Sequence, residues 1–230
     1  MKNDLFSIGP FTVHGYGLMI AIGVLSAYYM VEYRAKKKQM GWEKVFPLTV
    51  WSVLGGFLGS KILYLLTRLP DILANPALLG SSIKDGFVVY GGIIGGILTA
   101  WIYCKCTKWN FWKIFDIAMP AVAMAQGFGR IGCLLAGCCY GIELDPANPI
   151  GIVFHNSAYA PNDVALLPTQ IISSVLDFAN CFVLLALSKK LKTDGQVASC
   201  YLIFYSIGRF VLEYFRGDLI RGNVGEFSTS

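Results

Sequence analysis

The chain of 230 residues is 55% hydrophobic and only 14% charged, whereas soluble domains carry roughly 25% charged residues. This composition argues against an ordinary soluble globular protein and predicts an integral-membrane protein. The formal net charge of +5 comes from cations in short loops between apolar segments, so it indicates membrane topology and gives no reason to predict a nucleic-acid partner.

Six apolar segments follow one another along the chain, each long enough to cross about 30 Å of hydrocarbon as a helix. They occupy residues 14–33, 46–68, 87–106, 113–137, 167–188 and 197–215. The sequence therefore predicts an all-α fold, a polytopic transmembrane helical bundle of six spans, with residues 1–230 as a single integral-membrane domain. Nothing before residue 14 has the charged region and cleavage site of a secretory signal peptide.

The loops between these segments alternate in their content of lysine and arginine. Loops 34–44, 105–113 and 189–194 are rich in these residues, whereas 138–163 contains none. Cytoplasmic loops of membrane proteins carry the excess of lysine and arginine. The three basic loops are therefore predicted to be cytoplasmic, with the N-terminus outside.

Small residues recur four positions apart in the second and third segments, in "GGFLGS" (55–60) and "GGIIGG" (91–96). In a bilayer this spacing lets two helix backbones approach closely. Helix packing is the favoured interpretation of any single pair.

Ionisable side chains inside apolar segments cost at least about 2.5–3.5 kcal/mol each, so they normally face a polar cavity or a partner. In this chain the ones that stand out are Lys61, Arg130, Asp177, Arg209 and Glu213, with Asp116 nearer a predicted cytoplasmic end. Arg209 and Glu213 share one helix face and can pair, which is equally compatible with a purely structural ion pair. Arg130 has no acid within helical reach and needs a partner from another helix, water or an anionic ligand. Two guanidiniums in the outer half of a bundle suit a lipid phosphate, which arginine binds through two parallel hydrogen bonds.

The seven cysteines are an odd number spread through predicted membrane helices, which argues against a disulfide framework. Adjacent cysteines have Cα atoms about 3.8 Å apart, below the usual disulfide range of roughly 4.4–6.8 Å, so a bond between Cys138 and Cys139 would be strained. Cys133, Cys138 and Cys139 match no usual zinc spacing and have no nearby histidine. The sequence thus predicts no metal site and mainly a packing role for these thiols, with metal binding and redox chemistry as alternatives.

Six motifs resemble, in order and spacing, those of the bacterial prolipoprotein diacylglyceryl transferases. They are "HGYGLM" (14–19), "GGFLGSKILYLL" (55–66), "DGFVVYGGIIGG" (85–96), "GRIGCLLAGCCYG" (129–141), "LPTQ" (167–170) and "GRFVLEYFRGD" (208–218). The family continues into a last transmembrane helix where this chain ends in "GEFSTS" (225–230), so the resemblance predicts that this helix is missing.

The resemblance implies transfer of a diacylglyceryl group from phosphatidylglycerol to the lipobox cysteine of a prelipoprotein, in the bacterial cytoplasmic (inner) membrane. A thioether forms and glycerol phosphate leaves. The implied partners are phosphatidylglycerol, the prelipoprotein signal peptide with its lipobox, and the lipid bilayer. No cofactor is implied, and the sequence offers no glycine-rich phosphate loop. Arginines around the phosphodiester can stabilise the negative charge that develops on the leaving group.

Carried over residue by residue, the resemblance implies a catalytic set of Tyr90, Arg130, Arg209 and Glu213. The implied substrate-binding set is Tyr16, Gly91, Gly92, Arg130, Gly137 and Gly141. Helical spacing further predicts that one stripe of a single helix lines the headgroup pocket, comprising Arg130, Cys133, Gly137 and Gly141.

Several positions depart from the family pattern. Tyr90 stands where the family has a histidine, Cys133 replaces an asparagine and Cys138 replaces an acid. In the fifth-helix motif the family's histidine, tyrosine and glutamate are replaced by Leu167, Ile172 and Ser173. A phenol, with an ordinary pKa near 10, is a poorer neutral base than imidazole, whose pKa is about 6.5.

These departures leave two alternatives to an active transferase. One is a catalytically silent or repurposed relative that binds anionic lipid or lipoprotein without transferring anything. The other is a membrane thiol-redox protein that uses Cys138 and Cys139.

Overall fold

The computed structural model of the chain describes residues 4–8, 11–75, 80, 86–217, 223–224 and 227–228. Its helices are α1 (Gly15–Lys37), α2 (Val45–Thr67), α3 (Leu69–Ala74), α4 (Val89–Cys106), α5 (Phe111–Ala136), α6 (Thr169–Leu187) and α7 (Gln196–Glu213). Its strands form three antiparallel hairpins, β1 (Asp4–Ile8) with β2 (Phe11–His14), β3 (Ile152–Val153) with β4 (Ala165–Leu166), and β5 (Asn223–Val224) with β6 (Phe227–Ser228). Most of "GEFSTS", where the resemblance predicts a missing helix, lies outside the described residues.

Five helices in the described ranges are long and apolar enough to cross a membrane: Gly15–Lys37, Trp42–Thr67, Val89–Cys106, Phe111–Ala136 and Thr169–Leu187. The predicted all-α polytopic class is confirmed, and the chain is a multi-pass membrane protein. The predicted number of six spans is wrong by one on this measure. The sixth segment does form a helix, α7, but it contains Gln196, Arg209 and Glu213 and is not among these five.

By its internal contacts the chain forms two compact units. The first comprises residues 1–31 and 115–230, and the second comprises residues 32–114. The first unit contains most of α5 together with α6 and α7, and the second contains α2, α3 and α4.

In the second unit α2 packs on α4 along the small residues that the sequence singled out. A Cβ placed on Gly91 would lie 2.6 Å from Leu63 Cβ, and one on Gly59 would lie 2.9 Å from Gly95 Cα. These separations are shorter than any real Cβ contact, so only glycine fits at either position. The predicted close approach of the two helix backbones is confirmed.

The first unit has its core where α5, α6 and α7 meet. The buried residues there are Met119, Ala123, Cys181, Leu184, Val197, Ala198 and Tyr201. Polar side chains also join the helices: Ser174 Oγ donates to the carbonyl oxygen of Gly127 (2.9 Å). Cys181 is 2% exposed inside this core, which agrees with the packing role predicted for most of the thiols.

Buried Asp116 on α5 caps the start of α7. Its two carboxylate oxygens accept hydrogen bonds from the backbone N–H groups of Gly195 and Ala198, each at 2.8 Å. The first N–H groups of a helix have no partner within the helix, and α7 has no cap from its own flanking side chain. A carboxylate from a helix distant in sequence therefore accepts the hydrogen bonds that a local N-cap side chain would normally accept.

We expect Asp116→Ala to lower the free energy of unfolding by about 2–3 kcal/mol, because it leaves buried N–H groups without an acceptor of a charged hydrogen bond. The thermal midpoint of the full chain in detergent measures this. Asp71→Ala is the matched control: Asp71 forms an exposed ion pair with Arg68, and such pairs contribute about 0–1 kcal/mol. Equal midpoints for the two variants would contradict the capping role.

The segment between α5 and α6 folds around a small core of its own. Tyr140, Phe154, Ala160 and Leu166 are buried together, and β3 pairs with β4 beside them. This core anchors the chain on both sides of the turn that follows α5.

Candidate active site

Helix α5 ends in a Schellman motif. Gly137 has a φ of +75°, and its N–H donates to the carbonyl oxygen of Leu134 (3.2 Å) while the N–H of Cys138 donates to that of Cys133 (3.1 Å). This pair of hydrogen bonds requires a left-handed residue directly after the helix, which glycine adopts without steric cost. Gly137 is therefore required by the turn.

The prediction that Arg130, Cys133, Gly137 and Gly141 form one helical stripe is wrong beyond Cys133. The helix ends at Ala136, and the left-handed turn at Gly137 takes the chain away from the helix axis. Gly141 lies beyond the turn, where a Cβ would be 2.7 Å from the carbonyl oxygen of Leu167. This glycine permits two backbone segments to approach each other, and its role in substrate binding remains a prediction.

The turn brings three cysteine side chains together. In a Schellman motif the residue two positions past the helix end packs on a residue of the last helical turn, and here these residues are Cys138 and Cys133. Cys139 then has a φ of +60°, which few residues other than glycine adopt. The three sulfur atoms lie within 4.8 Å of one another, and none of the chain's seven cysteines, all of them in described ranges, forms a disulfide.

The start of α6 holds this turn in place. Thr169 Oγ1 donates to the carbonyl oxygen of Cys139 (2.8 Å) and Gln170 Nε2 donates to that of Cys138 (2.9 Å). Thr169 and Gln170 are 3% and 1% exposed. The residues that remain of the "LPTQ" motif thus fix the backbone of two adjacent cysteines.

The arginines meet in a cleft of the same unit, which encloses about 540 Å³ of empty space including its open mouth. Arg130 reaches it from α5, Arg209 from α7 and Arg216 from just beyond α7. Its other polar lining residues are Thr169, Ser173, Asp177, Asn180, Tyr205 and Cys139, and its apolar ones include Leu176, Phe204 and Leu212. The cleft is therefore amphipathic, with its cations drawn from separate parts of the chain.

Two acidic residues interact with arginines of the cleft. Arg209 and Glu213 form an ion pair one helical turn apart, with side chains 22% and 25% exposed, so the pairing predicted from their spacing is confirmed. Asp177 on α6 is an acid from another helix that interacts electrostatically with Arg130. Three guanidiniums that converge on one cleft suit an anionic ligand such as a phosphate.

Tyr16 lies at the contact between α1 and α5. A Cβ on Gly132 would be 3.2 Å from Tyr16 Cδ2 and 3.3 Å from Met19 Cβ, so α1 packs tightly on α5 at this level. Tyr16 interacts electrostatically with Arg130 and with the three clustered cysteines. The structure thus brings Tyr16 and Arg130 together, as expected for residues of one site.

A family model described as "Prolipoprotein diacylglyceryl transferase" matches residues 3–230. The chain belongs to this family. Over its full length it is 45% identical to the phosphatidylglycerol–prolipoprotein diacylglyceryl transferase of Clostridium tetani, covering 91% of that protein. It is 44% identical to enzyme 2 of that name from Clostridium perfringens, covering 89% of it. With the enzyme from Staphylococcus carnosus the identity is 32% over 93% of this chain and 78% of the relative. The transferase class predicted from the motifs is confirmed.

In this prolipoprotein diacylglyceryl transferase family member, three predicted site residues belong to the second unit. Tyr90 lies at the start of α4 and is 58% exposed. Gly91 lies against Gly59, and Gly92 faces Ser60, with 3.6 Å between its added Cβ and Ser60 Cβ. Packing of α2 on α4 requires glycine at position 91 but leaves ordinary van der Waals space for a Cβ at position 92. The site roles of Tyr90, Gly91 and Gly92 remain predictions.

Sequence reasoning missed Arg216 as a site residue. Its position seven residues after Arg209, two turns along the same helical face, was an available signal. However, α7 ends at Glu213, so helical spacing does not place Arg216. A bridge between Gly141 and Arg216, flanked by a hydrogen bond from the N–H of Ile142 to the carbonyl oxygen of Phe215 (3.0 Å), holds it at the cleft.

Proposed function

We propose that this protein transfers the diacylglyceryl group of phosphatidylglycerol to the lipobox cysteine thiol of prelipoproteins. The observation that carries the proposal is the convergence of Arg130, Arg209 and Arg216 on one amphipathic cleft. The relatives are named for this lipid and this protein substrate. A phosphate diester with an apolar tail matches a cleft that combines guanidiniums with Leu176, Phe204 and Leu212.

In the proposed reaction the lipobox sulfur attacks the glyceryl carbon that carries the phosphate. A carbon–sulfur bond forms as the thiol releases its proton, the carbon–oxygen bond breaks, and glycerol phosphate leaves with the electron pair of that carbon–oxygen bond. Negative charge grows on the phosphate as this bond breaks, and guanidiniums already in place stabilise it without reorganisation. Arg130 and Arg209 are the proposed phosphate ligands, and Glu213 orients Arg209.

Complementation of a bacterial strain depleted of its own transferase tests the proposal. We expect a model lipoprotein to gain the mass of one diacylglyceryl group, attached through a thioether. Normal expression without this adduct would instead favour a relative that binds anionic lipid or lipoprotein without transferring anything.

We further propose that the protein resides in the cytoplasmic (inner) membrane with its N-terminus outside, because the lysine-rich loops alternate with lysine-poor ones. A cysteine introduced in place of Asn148 should be labelled by an impermeant thiol reagent on intact cells. One introduced in place of Lys37 should be labelled only after permeabilisation. Mass analysis of the labelled peptides separates both from the native cysteines, and strong labelling at position 37 on intact cells would reverse the orientation.

A further inference from the structure

The proposed mechanism uses the arginines of the cleft but leaves the three clustered thiols without a role. The sulfur atoms of Cys133, Cys138 and Cys139 lie within 4.8 Å of one another. Tetrahedral zinc with Zn–S bonds of about 2.3 Å needs sulfur atoms roughly 3.8 Å apart. The observed separations exceed this spacing by about 1 Å at most.

Hydrogen bonds fix the backbone that carries these thiols without any bound metal. The Schellman motif of α5 places Cys138 on Cys133, and the buried side chains of Thr169 and Gln170 bind the carbonyl oxygens of Cys139 and Cys138. Cys139 is kept in a left-handed conformation, with a φ of +60°. Such conformations persist in non-glycine residues only where the surroundings enforce them, and they concentrate at functional sites.

Three cysteine sulfur donors favour a thiophilic metal ion. Three thiolates suit Zn²⁺ or another soft ion and do not suit Mg²⁺ or Ca²⁺. Three thiolates and Zn²⁺ together carry one negative charge, and Arg130 interacts electrostatically with Cys133 and Cys139. A zinc site with three protein ligands also keeps a fourth position open, as catalytic zinc sites do.

We propose that Cys133, Cys138 and Cys139 bind one Zn²⁺ through three thiolates, and that the open fourth position binds the thiol that accepts the diacylglyceryl group. The second half of this proposal rests on the proposed function. Cys139 lines the same cleft as Arg130, Arg209 and Arg216, so a thiol bound at the zinc lies beside the phosphate-binding arginines. The sequence by itself predicts no metal site, and this proposal differs from that prediction.

In the resulting step the lipobox thiol releases its proton to solvent as the sulfur binds Zn²⁺, since a coordinating thiol is deprotonated. The zinc-bound sulfur then donates an electron pair to the glyceryl carbon. The carbon–oxygen bond to the phosphate breaks, and glycerol phosphate leaves with that bond's electrons. No oxidant or reductant takes part, and the zinc returns to three thiolate ligands when the thioether dissociates.

The first test measures metal in the full-length protein, purified in detergent, equilibrated with Zn²⁺ and freed of excess metal. We expect about one zinc per chain. A variant with Cys133, Cys138 and Cys139 all changed to serine should lose it, and Cys133→Ser alone should weaken zinc binding at least tenfold. Cys106→Ser, which changes an exposed cysteine outside the cluster, is the matched control and should bind zinc like the wild type.

Three outcomes would overturn the metal site. The first is wild-type protein that binds no zinc. The second is zinc that persists in the triple serine variant, which would be an adventitious ion only. The third is a disulfide among the three cysteines in protein isolated with its thiols blocked, which would assign them to redox chemistry. Because the wild type is itself measured, misfolding of the triple variant does not weaken the test.

The second test concerns the open position. With Co²⁺ in place of zinc, a lipobox peptide should raise the thiolate-to-cobalt absorption by about a third, as three sulfur ligands become four. The same peptide with serine in place of its cysteine should leave the absorption unchanged. An unchanged spectrum with the cysteine peptide would overturn the substrate-binding half.

Diacylglyceryl transfer is measured on the same samples, so the two proposals fail differently. We expect chelation to abolish transfer and added zinc to restore it. Full transfer by zinc-free protein would overturn the zinc proposal and leave the proposed function intact. Zinc held by the three cysteines in a protein without transfer would support the metal site and overturn the proposed function.

Discussion

Arg130→Lys is expected to reduce diacylglyceryl transfer by about 10²–10³-fold, the typical loss when one preorganised donor to a developing negative charge is removed. The positive charge remains in this variant, but the planar fork that binds two phosphate oxygens at once is lost. Lysine also presents a compact, strongly hydrated charge beside Asp177, which interacts electrostatically with Arg130. Transfer of labelled diacylglyceryl groups from phosphatidylglycerol vesicles to a lipobox peptide measures the effect.

Arg68→Lys is the matched control for this substitution. Arg68 donates to the carboxylate of Asp71 at 2.9 Å in an exposed pair, and it is not among the residues that line the cleft. We expect transfer by Arg68→Lys to equal that of the wild type. Wild-type transfer by Arg130→Lys would show that position 130 needs only a charge, and the proposed two-point contact with phosphate would be abandoned.

Arg209→Ala is expected to lower transfer by about 10²-fold or more, and Glu213→Gln by only about tenfold. Arg209 lines the cleft, whereas Glu213 forms an ion pair with it from one turn further along α7. A carboxylate engaged in an ion pair is a weakened base, so Glu213 orients the guanidinium. The glutamine variant keeps an oxygen that accepts a hydrogen bond from Arg209.

The double variant Arg209→Ala/Glu213→Gln completes this comparison. If Glu213 acts only through Arg209, the second substitution should have no further effect once the arginine is gone. Complete loss of transfer in Glu213→Gln alone, with normal expression and vesicle binding, would instead give the carboxylate a direct chemical role.

The periodicity of the sequence predicted the structure correctly wherever a feature depends only on residues of the same helix. Five apolar segments coincide with membrane-length helices within a few residues. The glycines near positions 59 and 91 lie where two helix backbones meet, because residues four apart share a helix face in any surroundings. The same reasoning correctly paired Arg209 with Glu213.

The extension of helical spacing past the end of α5 failed for a physical reason. The left-handed conformation of Gly137 ends the helix, and a glycine in a sequence does not reveal whether it will pack inside a helix or terminate it. The predicted stripe therefore continued to Gly141, which lies instead at a close approach of two backbone segments.

By itself, the sequence determined the membrane class, the helices, the facing glycines, the Arg209–Glu213 pair and, through six motifs, the family. Only the tertiary structure decided that Asp116 caps α7, that Asp177 is the acid near Arg130, that Arg216 reaches the cleft and that three thiols meet at one turn. The pairs Asp116–Gly195 and Gly141–Arg216 each join residues more than seventy positions apart, and no helical or strand period extends across such a separation. These contacts arise when helices pack and when a loop pairs with the end of α7, and both events depend on the whole unit.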